Sequence, residues 1–429
     1  MLPRLFFLAA LAFAGCVSYR AQPLSPQRSA TEIEGRRLNG ARVWNVENLT
    51  QAALDFQPDL ELARAQLGTA RAALVTAGEM PNPMLTLSPQ FGAPLQPLLT
   101  QGTYGVDLDV PFETAGKRGK RKAIARAQIR SAQFNVANTL WQVRSRVRKS
   151  LLDFFAAEAR SRLLQSENTS QDEIVKGTET QTAAGEISRP QLMQTRLLAN
   201  QTRLLFADAE KQKSVARADI AAAVGVSVRA LDGITVKLDE FAEIPREPGL
   251  KKLRQRALTS RADVLGALAD YAAAEATLRL EIAKQYPDVH LSPGYAFDQG
   301  DNKWSVGLSM TLPILNQNRG AIREAEGKRA EAAARFRAVQ SRALADLEHA
   351  QAQLRGALRK LEVADGLLAA QEKQAQSAHT LLNAGETDRL SLLSANLERD
   401  TAALSRLDAL VEAQQALGAL EDAAQSVIK

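Results

Sequence analysis

Two periods of apolar residues divide this chain. Leu140, Val143, Val147, Leu151 and Phe154 recur at steps of three and four, the seam of a helix that packs on another helix. No proline falls between Pro111 and Pro190, none follows Pro313, and residues 120–176 contain no glycine. Such runs predict helices of roughly 60 residues, on the order of 90 Å at 1.5 Å per residue. A compact core has no use for that length, so the helices read as pillars.

Four other runs alternate with period two. In residues 104–112, Tyr104, Val106, Leu108, Val110 and Phe112 oppose Gly105, Asp107 and Asp109; in 303–313, Trp304, Val306, Leu308, Met310 and Leu312 oppose Ser305, Gly307, Ser309 and Thr311. In 288–297, Val289, Leu291, Pro293, Tyr295 and Phe297 oppose Asp288, His290, Ser292 and Gly294, and in 83–92 Leu85, Leu87 and Phe91 repeat the pattern more faintly. Each is about ten residues, the length of a tilted strand crossing a bilayer. A soluble sheet with one buried face alternates in the same way, but no further apolar element is left over to cover one.

The chain is written twice. LTQAALDFQPDL at Leu49 aligns with LRQRALTSRADV at Leu253, Pro83 with Pro287, Arg118-Gly119 with Arg319-Gly320, and Ala184-Gly185-Glu186 with Ala384-Gly385-Glu386. A near-constant spacing of about 200 residues marks an internal duplication. Each unit, 49–225 and 250–429, reads as a medium helix, two strands, a very long helix, a Gly turn and another long helix. Residues 226–249, with Gly, Pro and a β-branched run, read as an irregular connector. Residues 16–48 read as an extended N-terminal arm.

The N-terminus, MLPRLFFLAALAFAGC, has Arg4, a ten-residue apolar core and small residues before Cys16. That core is too short to span a bilayer as a helix, so residues 1–15 read as a cleaved export signal. Cys16 is the one cysteine, which excludes an internal disulfide. Its place after Phe13-Ala14-Gly15 resembles a bacterial lipoprotein box and predicts lipidation, with an acyl chain such as palmitate holding the mature N-terminus to a membrane. Net charge is +6, with acids and bases interleaved, so nothing calls for a nucleic-acid partner.

Export bears on the strands. A strand in lipid cannot leave its edges unpaired, since each orphan backbone group costs several kcal/mol. Four strands cannot close a barrel, for which about eight is the minimum. Copies of the chain must pool their strands. Three would give about twelve, enough to leave a lumen, and strand count alone leaves two- or four-chain closure open.

The duplicated order of helices, hairpin and Gly turn resembles the TolC-like outer-membrane efflux channels, from about Leu49 to the end. The resemblance implies a mainly helical homotrimer with a shared twelve-stranded barrel in the outer membrane of a Gram-negative bacterium and a long α-barrel in the periplasm. PFETAGKRGKRKAIARA, residues 111–127, is similar to the GKR signature of the cobalt–zinc–cadmium branch, whose members work with resistance–nodulation–division pumps of the inner membrane that export heavy metals. By the same resemblance the two Gly turns are tips where a periplasmic adaptor docks, through Ala184, Gly185, Glu186 and Arg189 and through Ala384, Gly385, Glu386 and Arg389. The acidic constriction of some members falls on Gln191, Gln194, Ser391 and Ser394, so the acidic ring is not reproduced; Asp388 lies close by.

Asp107, Asp109, Asp288 and His290 read as lumen residues able to favour cations. Lys117, Arg118, Lys120, Arg121 and Lys122 read as a rim facing anionic headgroups of the outer-membrane lipid. His290, His349 and His379 are far apart and form no metal-ligand spacing, so neither a resident metal nor a cofactor is expected. No nucleophile–base constellation appears, so no enzyme is expected. Two rival expectations remain: the same channel exporting drugs or other organic solutes, and a periplasmic coiled-coil adaptor or scaffold lipoprotein.

Overall fold

A computed structural model describes residues 19–40, 42–90, 103–245, 250–298 and 300–428. The expected export signal and Cys16 lie outside the described residues. The arm is not wholly extended: helix α1, Pro26–Gly35, starts where Ser25 accepts a bond from the Arg28 amide and Pro26 presets the first turn. Strand β1, Val43–Trp44, then leads into the first repeat.

Each repeat carries two short helices where the pattern predicted one. Helix α2, Val46–Phe56, breaks from α3, Pro58–Gly78, at Gln57, because Pro58 supplies no N–H to continue the ladder. Next come strands β2, Met84–Gln90, and β3, Thr103–Phe112, then the long helices α4, Lys117–Ala183, and α5, Arg189–Val224. The connector holds two 3₁₀ turns and a short strand, β4, Thr235–Val236, parallel to β1. The second repeat follows the same order: helices α6, Leu250–Thr259, and α7, Ala262–Ala283; strands β5, Val289–Asp298, and β6, Asp301–Met310; helices α8, Arg319–Asn383, and α9, Arg389–Ala424. Strand β6 stops short of the expected end at 313. The 67 residues of α4 and 65 of α8 bear out the long helices read from absent Pro and, in α4, a long stretch without Gly.

One antiparallel sheet, ordered β2-β3-β5-β6, joins the two hairpins through β3 and β5. Its register gathers the apolar residues on one face: Leu85 pairs Leu108, Leu87 pairs Val106, Val106 pairs Tyr295, and Tyr295 pairs Trp304. The other face collects Thr86, Asp107 and Gly294 in one row. Nothing among the described residues covers the apolar face, where Trp304 is 82% and Val306 77% exposed. No helix among the described residues is long and apolar enough to cross a membrane.

The cores sit at the waist, where each leading helix meets the pillars. Leu49 and Ala53 pack with Val143, Val147, Leu151 and Val224; their counterparts Leu253 and Ala257 pack with Leu347, Leu354, Leu417 and Leu420. Each such leucine contributes about 1.5–3 kcal/mol by leaving water. The predicted stripe is thus core at Val143, Val147 and Leu151. Phe154 packs at its margin and Leu140 stays partly exposed.

Polar groups tie the waist together. The Gln57 amide donates to the Ala222 and Ala223 carbonyls, and Arg36 donates to the Phe56 and Gly225 carbonyls at 2.8 and 2.7 Å, meeting the carbonyl ends of α2 and α5. Between the repeats, Glu421, with its side chain 4% exposed, accepts from Arg144 at 3.1 Å and lies 3.5 Å from Arg148. Burial pulls the Arg148 guanidinium below its ordinary pKa, with Glu421 opposing. Gln414 accepts from Arg148 and donates to the Phe241 and Glu243 carbonyls of the connector.

Candidate functional site

Two matched tips end the pillars. At the first, the Gly185 amide donates to Thr182 O at 3.1 Å and the Glu186 amide to Gln181 O at 2.9 Å; at the second, Gly385 donates to Leu382 O at 3.0 Å and Glu386 to Leu381 O at 2.9 Å. Both are Schellman closures, which need a left-handed residue after the helix. Gly185 and Gly385 supply it, with φ of +78° and +75°. Ala184, Glu186, Arg189, Ala384, Glu386 and Arg389 all stand exposed around them.

The returning helices start with caps that the sequence reading did not assign. The Gln191 side chain accepts from the Ser188 amide at 2.9 Å, and Asp388 accepts from the Ser391 amide at 2.9 Å. The Ser-x-x-Gln spacing and an Asp before a helix were the available signals. Gln191 and Ser391 are therefore engaged in end-capping, while Gln194 and Ser394 are exposed on the helices beyond. The Ser391 hydroxyl and amide hold the Asp388 carboxyl below its usual range. Asp388→Ala is expected to cost about 1 kcal/mol of local helix stability, seen as faster hydrogen exchange at the start of α9. In the unaltered protein that contribution is present above the ordinary carboxylate pKa and fades as pH falls below about 4.

A polar seam joins the two hairpins below the waist. Arg389 meets Glu173 at 2.9 Å, the Ser166 hydroxyl donates to Asp400 at 3.1 Å, and Arg160 pairs with Asp408. Beside it, burial and the charge of Asp400 push the Glu167 carboxyl up, against a bond from the Thr202 hydroxyl. A methyl added at Gly177 would come 2.9 Å from Leu390 Cδ2, so α4 and α9 touch at this glycine. A lone Gly inside a long helical pattern was the signal for that contact.

On the polar strand face, Asp109 lies 2.9 Å from His290 Nδ1 and accepts from the Ser292 hydroxyl at 3.1 Å. Asp107 sits opposite Gly294, whose missing side chain leaves it room. Asp288 lies just before β5, where Lys117 Nζ meets it at 2.7 Å. No group of His, Cys, Asp and Glu able to hold a metal ion occurs among the described residues.

The basic run corrects its expected role. Lys117 is 8% exposed and also donates to Tyr286 O at 2.7 Å. Arg118 and Arg121 donate to the Gly78 and Glu79 carbonyls at the end of α3, Arg121 pairs with Glu113, and Lys120 donates to Ala115 O. Lys117 is too buried to face headgroups, and the others tie the start of α4 to the end of α3 and to its own leading turn. The charges were visible in sequence; their acceptors, mostly backbone carbonyls, were not.

The sheet, apolar on one face and polar on the other, is carried on long helices that end in matched tips. The described fold matches solved outer-membrane channels. The similarity to OprN has TM-score 0.72 at 21% identity, covering 96% of this chain and 98% of that one; that to CusC has TM-score 0.72 at 19%, covering 96% and 99%. Residues 49–226 and 253–424 match the outer membrane efflux protein family, and the chain belongs to it.

Among curated relatives, the cobalt-zinc-cadmium resistance protein CzcC of Cupriavidus metallidurans is 25% identical over 62% of this chain. The matched stretch spans 63% of that relative's length. The pyoverdine export outer membrane protein OpmQ of Pseudomonas aeruginosa is 26% identical over 87% of this chain and 85% of its own. The nickel and cobalt resistance protein CnrC of C. metallidurans is 25% identical over 68% and 69%.

Proposed function

We propose that three copies of this chain close a twelve-stranded barrel in the outer membrane and serve as the passive exit duct of a tripartite efflux system. The uncovered apolar face of the sheet, from Leu85 and Leu87 to Val306 and Leu308, carries this reading, because that band has no partner among the described residues and suits lipid. The polar face, with Asp107, Asp109 and His290, then lines the lumen. A lipid on Cys16 holds the arm to the same membrane. The exposed tips receive a periplasmic adaptor, and a proton-driven resistance–nodulation–division pump of the inner membrane supplies the work.

Heavy-metal cations are the proposed cargo. The resistance proteins CzcC and CnrC among the relatives support it, as do the carboxylates of the polar face. Organic export is the second reading, supported by the longer match to OpmQ. A planar bilayer tests the duct: purified protein is expected to give stable conductance, with a reversal potential in a salt gradient favouring cations. Asp107→Asn with Asp109→Asn should shift that potential towards zero, whereas no conductance at all would sink the duct. Deleting the gene and measuring tolerance to cobalt, zinc and cadmium beside a panel of organic toxicants separates the two cargoes.

A further inference from the structure

The duplication dictates how neighbouring copies join. Within the chain, repeats meet where β3 pairs β5, with Val110 opposite Leu291 and Phe112 opposite Val289. The two strands left with a free edge, β6 and β2, are the counterparts of β3 and β5 in the other repeat. Val110-Pro111-Phe112 aligns with Leu312-Pro313-Ile314, and Val289, Leu291 and Pro293 align with Leu85, Leu87 and Pro89. We propose that the free edge of β6 joins β2 of the next copy in the transposed register, Leu312 opposite Leu87 and Ile314 opposite Leu85. This rests on the shared barrel proposed above and specifies its joint.

One observation not used to build that register agrees with it. The next pair along is Leu315 opposite Met84. These are the large apolar side chains that interrupt the otherwise small or polar inner face, and they are 101% and 61% exposed. Their counterparts at the joint within the chain, Glu113 and Asp288, are charged and held by Arg121 and Lys117. The joint between copies thus replaces an ionic staple with an apolar pair. Strand β3 runs to Phe112 while β6 ends at Met310, short of the counterpart Ile314. There the Ile314 amide donates to Leu312 O at 2.9 Å, a turn that pairing with the next copy would open.

Paired cysteines test the register. Residues directly opposite in an antiparallel pair sit about 4.5–5.5 Å apart at Cα, within the span of a disulfide. Leu87→Cys is combined in the full-length protein with Met310→Cys, Leu312→Cys or Ile314→Cys, and the membranes are oxidised. Leu87→Cys alone accounts for Cys16. The 312 pair is expected to convert the monomer band to covalent trimer on non-reducing gels, while the 310 and 314 pairs, offset by two residues, remain largely monomeric. Preferred bonding at 310 or 314 overturns the register and leaves the barrel standing. No bonding at any position, with all variants inserted, overturns the shared barrel itself. Should the 312 variant fail to insert, Met84→Cys with Leu315→Cys asks the same question on the inner face.

Discussion

Export is expected to disappear when Gly185 and Gly385 are both replaced by valine, while barrels still assemble in the membrane. The left-handed backbone at these positions costs an L-residue about 1–2 kcal/mol, and β-branching makes it worse. Each Schellman closure must then open or shift. The tips have no part in the waist cores or the sheet, so membrane insertion and the proposed trimer, read by cross-linking, should persist. Resistance should fall to that of a strain lacking the gene. Full resistance in this double variant would show that the tips are not read by a partner. Gly→Ala at both sites should give an intermediate loss, since alanine meets the same backbone strain without branching.

The second large effect concerns stability. Glu421→Leu leaves Arg144 and Arg148 buried at the waist without their carboxylate, and removing one partner of such a pair costs about 3–5 kcal/mol. The unfolding temperature of the detergent-solubilised protein should drop sharply, and protease should reach the connector near Phe241, where Gln414 and Arg148 hold it. Adding Arg148→Met to Glu421→Leu should recover part of the loss, because the more deeply buried of the two uncompensated charges goes with it. A double variant less stable than the single would mean that Arg148 acts mainly through Gln414.

Much of this architecture was legible because its signals are local. Long runs without Pro gave α4 and α8, helped in α4 by a long stretch without Gly, period-two alternation gave the four strands, and the repeated Ala-Gly-Glu gave the tips. Features made by distant partners were not legible. Nothing in Lys117 or Arg121 reveals that carbonyls of Tyr286 and Glu79 await them. The β3–β5 joint lies between residues far apart in sequence, and alternation is silent on which strand neighbours which. The break at Gln57 was missed because Leu49, Ala53, Phe56 and Leu60 keep steps of four, three and four across it. Helix α1 was missed because it buries no side chain, so its cap and proline were the sole clues. At the expected constriction, Gln191 and Ser391 were placed by resemblance, and local capping turned out to occupy them.

The clasp of Arg36 on the ends of α2 and α5 gives the arm a leash length. From Cys16 to Arg36 the chain holds ten helical residues and about as many others, which together reach roughly 50 Å when taut. From the waist to the sheet, α3 climbs 21 residues, about 30 Å. An acyl chain on Cys16, as proposed above, could therefore stay in the inner leaflet with the proposed barrel fully inserted. The same tether would hold unassembled subunits on a surface, where three of them meet far sooner than in open solution.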